Sequence, residues 1–141
     1  MINDGLNLKG KLAISLNGQV VREVDNIVVT AGKGYVASRM KDATATAMSH
    51  MAIGSGTTNP AAGDTALETE LGRVALTSTA VSSNVVTYTA TFAAGTGTGA
   101  VTEAGILNAS SGGTMLCRTE FSVVNKGSAD SMTITWTVTV S

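Results

Sequence analysis

His50 and Cys117 are the only histidine and the only cysteine in the chain, so they are the first residues to test for chemistry. A Cys–His pair makes a nucleophile when the imidazole draws off the thiol proton. Here 66 residues separate the two, and no neighbouring acid or nucleophile singles out His50. Cys117 sits inside Met115-Leu116-Cys117-Arg118, where a cysteine acts as a small hydrophobe. A single cysteine also excludes an intramolecular disulfide and a cysteine-based metal site. Glu68 and Glu70, two apart, diverge on a helix and share a face on a strand; paired carboxylates for acid–base work would need a pocket around them. Gly95-Thr96-Gly97-Thr98-Gly99 has the glycine density of a phosphate cradle. It lacks the G-x-G-x-x-G spacing and the following Lys-Ser or Lys-Thr, and reads as a turn between strands. Asn108-Ala109-Ser110 matches a glycosylation sequon by accident of composition. Tyr35, Tyr88, Phe92, Phe121 and Trp136 are too scattered for a stacking platform. The expectation is a protein that is not an enzyme, with no catalytic, cofactor-binding or metal residue and no cofactor.

The elements that hold these residues are more informative. From Met132 to Val140 every even position is apolar and every odd position is Thr. A period of two puts Met132, Ile134, Trp136, Val138 and Val140 on one face of a strand and the threonines on the other. Thr is β-branched and suits a pleated backbone even where it faces water. This ladder needs partner strands of comparable length. Leu8 to Leu16 alternates, with Gly10 interrupting its inner face as at a bulge. Asn17-Gly18 is a type I′ hairpin signal, Val20 to Val24 the return strand, and Asp25-Asn26 a second break. Ile27 to Thr30 is a short buried strand or the approach to a helix over Ala31 to Lys41, capped by Thr30, with Tyr35, Val36 and Met40 as its apolar face and Arg39 and Lys41 in its last turn.

Asp42 to Ala47 reads as a loop, His50 to Ile53 as a short strand, and Thr57 to Asp64, with the single proline, as an exposed connection. One helical turn from Asp64 or Thr65 through Glu70 precedes a strand over Arg73 to Ala80. Ser82-Ser83-Asn84 turns the chain into Val85 to Phe92. Val101 to Leu107 and Thr114 to Phe121 form a hairpin around Ser110 to Gly113, and Ser122 to Asp130 leads into the Thr ladder. Eight or nine strands and one short helix in 141 residues predict a single all-β domain over residues 1–141. The expected architecture is an antiparallel two-sheet sandwich of jelly-roll type, with an immunoglobulin-like sandwich lacking the paired cysteines as the alternative, and with Met1 to Asn7 as an extended arm.

Composition narrows the function class. Charged residues make up 13% of the chain, about half the usual ~25%, and Thr, Ser, Ala and Gly fill the gap. A weakly charged surface lacks a main device against association, so it predicts a surface covered by partners. The net charge of −1 gives no electrostatic footprint for nucleic acid. No polybasic run, spanning segment or secretory signal marks a membrane route.

Several stretches resemble small virion proteins of tailed bacteriophages. They are Ile27-Val28-Val29-Thr30-Ala31-Gly32-Lys33, Ser49-His50-Met51-Ala52-Ile53-Gly54-Ser55-Gly56-Thr57-Thr58, Asn84-Val85-Val86-Thr87-Tyr88, Thr102-Glu103-Ala104-Gly105-Ile106 and Asn125-Lys126-Gly127. Their order and spacing carry the resemblance from about residue 27 onward. It implies a capsid cement or decoration protein: made in the host cytoplasm, seated on the outer surface of the virion head, bound to the major capsid protein, and forming a homodimer or other homo-oligomer. The alternative is a tail-fibre or baseplate adsorption module. The resemblance carries over no site residues.

Overall fold

In the computed structural model, residues 5–41 and 45–141 are described. Met1–Asp4 of the expected arm and residues 42–44 of the expected loop lie outside them. Nine strands and one helix follow in the order β1 (Leu8–Leu16), β2 (Gln19–Val28), α1 (Thr30–Lys41), β3 (His50–Gly54), β4 (Glu70–Ala75), β5 (Ser78–Ser82), β6 (Val85–Phe92), β7 (Gly99–Leu107), β8 (Met115–Lys126) and β9 (Met132–Val140). The strands form one antiparallel sheet in the order β4-β3-β7-β8-β2-β1-β9-β6-β5. This sheet curls into a half-barrel around the core.

The chain turns two corners to make the curl. β2 pairs with β1 from Gln19 to Asn26 and then with β8 at Ile27 and Val28. β4 and β5, the two edges of the sheet, are joined only by Leu76 and Thr77. The expected single strand over Arg73 to Ala80 therefore divides: its first part pairs with β3 and its second with β6. The expected break at Asp25-Asn26 is instead a continuous stretch of β2, and the segment Ile27 to Thr30 is the end of that strand followed by the helix.

The Thr ladder is β9, with β1 and β6 on either side. Its apolar positions stack in rows across the three strands: Leu12–Trp136–Tyr88, Ile14–Ile134–Ala90 and Leu16–Met132–Phe92. Trp136, Ile14, Ile134, Phe92 and Met132 are wholly buried, each such side chain contributing about 1.5–3 kcal/mol through the water it no longer orders. Asn17 and Gly18 have φ of 51° and 83°, the left-handed pair of the predicted hairpin turn.

Gly10 does not mark a bulge; the register shift of β1 against β2 falls between Ile14 and Ser15. Gly10 lies opposite Asn26, and a Cβ there would overlap the Asn26 side chain. That side chain accepts the indole N–H of Trp136 at 2.8 Å, which satisfies the one polar atom of the largest core residue.

Helix α1 packs on β8. Gly32, poor for helix propensity, is required here because a Cβ would overlap the Leu116 carbonyl. Tyr35 and Val36 are half-buried as expected, but Met40 is 77% exposed and lies outside the apolar contact. The expected helical turn through Glu70 is absent among the described residues; 65–69 run as an irregular, bent segment. The amides of Glu68 and Thr69 bond the Glu103 carboxylate instead of helical carbonyls.

Candidate interaction face and the charged latch behind it

The outward side of the Thr ladder continues onto its neighbours. Strand pairing places Thr91 beside Thr133, then Ser78, Thr89 and Thr135 in a row. Ala80, Thr87 and Thr137 make the next row, and Ser82, Val85 and Thr139 the last. Across β5, β6 and β9 this face carries only Ser, Thr, Ala and Val. Strands about 4.8 Å apart and same-face residues about 6.8 Å apart make it a regular field of hydroxyl and methyl groups. Thr91 and Thr133 are bonded to each other through their hydroxyls at 3.0 Å. Charge begins at the next strands, with Lys9 and Lys11 on β1 opposite Thr139 and Thr137, and Asp25 and Glu23 on β2 opposite Lys11 and Ala13.

The field ends at β5, whose five residues are all exposed. Edge strands are commonly blunted by Lys, Pro, a bulge or a covering loop, and β5 has neither Lys nor Pro and pairs with β6 in unbroken register. The opposite edge, β4, is guarded. Arg73 pairs with Glu70 at 2.7 Å and bonds the carbonyls of Ala109 and Gly112, and Gly72 abuts Gly97.

The charges missing from this face are partly buried on the other side of the molecule. Glu103 of β7 has no exposure and Arg118 of β8 is 2% exposed. One oxygen of Glu103 accepts Arg118 Nε at 3.1 Å, Arg118 Nη2 at 3.0 Å and the amide of Glu68 at 2.9 Å. The other accepts the amides of Gly56 at 2.7 Å and Thr69 at 2.8 Å. Arg118 also donates to Asp64 at 3.0 Å and to the Thr58 carbonyl at 3.1 Å. A Cβ at Gly54 would overlap the Thr69 carbonyl and the Glu103 carboxylate, and one at Gly56 the Glu103 carboxylate and the Glu68 side chain. Both oxygens of Glu103 and all three nitrogens of Arg118 have partners, which is the arrangement that lets a buried ion pair persist. The group pins both ends of the 55–69 loop, leaving Thr57, Thr58, Asn59 and Ala61–Gly63 displayed to solvent. Glu68 holds the same loop from outside, accepting the Thr57 amide and the Thr58 hydroxyl. The hydroxyl bond, with the amide bond behind it, keeps the Glu68 carboxyl below the usual carboxylate range.

The residues first tested for chemistry do not come together. His50 bonds its neighbour Ser49 at 2.7 Å. Cys117 is buried two strands away in the core, where burial pushes its thiol pKa well up. Burial likewise pushes the Tyr88 phenol up to about 12. Glu68 and Glu70 serve different partners, the Thr57 amide and Thr58 hydroxyl for the first and Arg73 for the second. Gly95 and Gly97, in the connection from β6 to β7, and Gly99, the first residue of β7, all have positive φ. Both ends of the Asn108 amide are used: its oxygen accepts the Thr114 amide within the β7–β8 hairpin, and its nitrogen donates to the Thr46 carbonyl between α1 and β3. Trp136 is core. Among the described residues no group of three or more His, Cys, Asp or Glu is placed to hold a metal ion, and no helix is long and apolar enough to cross a membrane.

The Glu103–Arg118 pair is the feature that the sequence left unrecognised. Its signal was one acid inside Val101–Leu107 and one arginine after Met115-Leu116-Cys117, each isolated in an apolar run. Pairing of Gly105 with Arg118 puts the two charges on a diagonal of one face, a register no single sequence discloses. Comparison with protein-family models, with curated proteins and with solved structures finds no match to this chain.

Proposed function

We propose that this protein is a cement or decoration protein of a tailed-bacteriophage head, binding the outside of the assembled shell and bridging neighbouring copies of the major capsid protein. The observation that carries the reading is the uncharged Ser/Thr field across β5, β6 and β9. Burying such a face desolvates no ion, and each hydroxyl can donate or accept toward a partner backbone. A protein that binds only the assembled lattice stabilises it by mass action. The chain exposes 7183 Å². A standard contact hides roughly 800 Å² per partner, so a few contacts of that size would cover a large share of it. In this reading the two halves of the curled sheet act as the layers of a jelly-roll-type sandwich, with corners in β2 and at Leu76–Thr77.

The test is the number of copies per purified particle relative to the major capsid protein, by quantitative mass spectrometry. Parity with the capsid protein, or a simple fraction of it, supports a lattice-bound cement protein. A few copies per particle would favour a second reading, an adsorption module of the tail fibre or baseplate, for which the rigidly latched and exposed 57–63 loop is the supporting observation. Absence from particles would sink both.

A further inference from the structure

We infer that β5 is a self-pairing edge: two copies of this chain join antiparallel through Ser78–Ser82, with Ala80 facing Ala80 of the second copy across a two-fold axis perpendicular to the sheet. The edge strand has only one neighbour, β6, so alternate N–H and C=O groups along its free side have no ladder partner and template another strand. Nothing on it repels a copy of itself, because Ser-Thr-Ala-Val-Ser carries no charge. The segment is also nearly palindromic in shape. Antiparallel pairing about Ala80 sets Ser78 opposite Ser82, and Thr79 opposite Val81, two side chains of almost the same volume.

Val81 gives a second, independent reason. Its register with Val86 puts it on the core-facing side of the sheet, in the row Val81–Val86–Val138. Val138 is 4% exposed in that row, yet Val81 is 74% exposed. The row thus runs out to an uncovered apolar side chain at the open edge. A second β5 in register supplies the missing neighbour, the Thr79 methyl, on the same side. A two-fold axis perpendicular to the sheet keeps outer face with outer face, so the Ser/Thr field doubles in width without interruption. Five residues per copy bury well under the roughly 800 Å² per partner of a stable interface, which makes the pair weak and concentration-dependent in dilute solution.

This inference rests on the edge and not on the capsid reading, and its test needs no virion. Ala80→Cys and Ser111→Cys, both at exposed positions, are oxidised in parallel with oxidised glutathione; Cys117 is buried in each. Opposed residues on antiparallel strands lie about 4.5–5.5 Å apart, within disulfide reach. Ala80→Cys is expected to form the covalent dimer at least about tenfold faster than Ser111→Cys, and sedimentation of the parent chain is expected to show association between about 10 µM and 1 mM. Val81→Lys, which places a cation on the edge, should weaken that association by at least about tenfold with an unchanged melting temperature. Equal crosslinking rates, a chain that stays monomeric throughout that range, or association undiminished in Val81→Lys would each overturn the proposal.

Discussion

Replacing Glu103 with Gln is the sharpest test of what holds the 55–69 loop. The substitution keeps the shape and removes one charge and one acceptor. Two orientations of the new amide are available. With its NH₂ toward Gly56 and Thr69, two backbone donors face a third donor; with its NH₂ toward Arg118, the guanidinium does. In either case Arg118, 2% exposed, loses its buried counter-charge and keeps only Asp64, which is itself 26% exposed. Orphaned buried donors cost about 1–3 kcal/mol each, and breaking a buried pair by removing one partner costs about 3–5 kcal/mol. We take the latter range. For a chain of this length it lowers the melting temperature by about 10–17 °C. The single Trp136, wholly buried, reports unfolding by fluorescence. Glu70→Gln, which breaks the more exposed Arg73 pair, is the control and should cost under about 1 kcal/mol. Hydrogen exchange should quicken at the amides of Gly56, Glu68 and Thr69 more than in β9. The double substitution Glu103→Gln with Arg118→Met should cost less than the sum of the singles, since no lone buried cation remains. A melting temperature within about 3 °C of the parent, or additive single substitutions, would refute the latch.

Three further outcomes follow from local geometry. Ser83 has φ of 55° in the two-residue turn between β5 and β6; Ser83→Gly should stabilise the fold by about 1 kcal/mol, read from denaturant midpoints. Cys117 should not react with a thiol reagent in the native protein and should react fully in denaturant, because the group is buried and its thiolate disfavoured. Glu68 and Asp130 have carboxyl pKa values depressed in the folded state, Glu68 chiefly by the Thr58 hydroxyl and Asp130 chiefly by the Asn17 amide. A depressed folded value means stability present above the unfolded carboxylate pKa and lost as pH falls through the folded one. Acidification below about pH 4 should therefore loosen the 57–69 loop and the 127–131 turn, and Glu68→Gln or Asp130→Asn should flatten the dependence of melting temperature on pH.

What could be read from the chain depended on the range of the forces involved. The alternation in β9, the Asn17-Gly18 turn and the helix after Thr30 are written in neighbouring residues, and all three stand where the pattern puts them. The division of Arg73–Ala80 was hidden because both halves have strand-like residues; only their different partners, β3 and β6, separate them. Gly10 and Gly32 looked like local weaknesses and are instead places where Asn26 and the Leu116 carbonyl come too close for a Cβ. The turn expected through Glu70 failed for a related reason: a carboxylate some 35 residues away outcompetes the helical carbonyls for the Glu68 and Thr69 amides. Of the interaction face, the β9 half was legible as the Thr side of the ladder. Its extension over β6 and β5, and its uncharged continuity, required the register.

The strand order has a bearing on how the protein is made. β9 lies between β1 and β6, yet it is the last of the three to leave the ribosome. Until it arrives, a nascent chain holds the β1–β2 and β5–β6 hairpins as separate pieces, each with an open side where β9 belongs. Closing that gap joins segments more than a hundred residues apart at Leu8 and Val140, a connection that is slow to find. The interval before it closes is when a Thr- and Val-rich chain is most exposed to mispairing with its own kind. Insertion of β9 between β1 and β6 is therefore a late step that completes this part of the sheet, and the stage at which the chain is most open to misassembly.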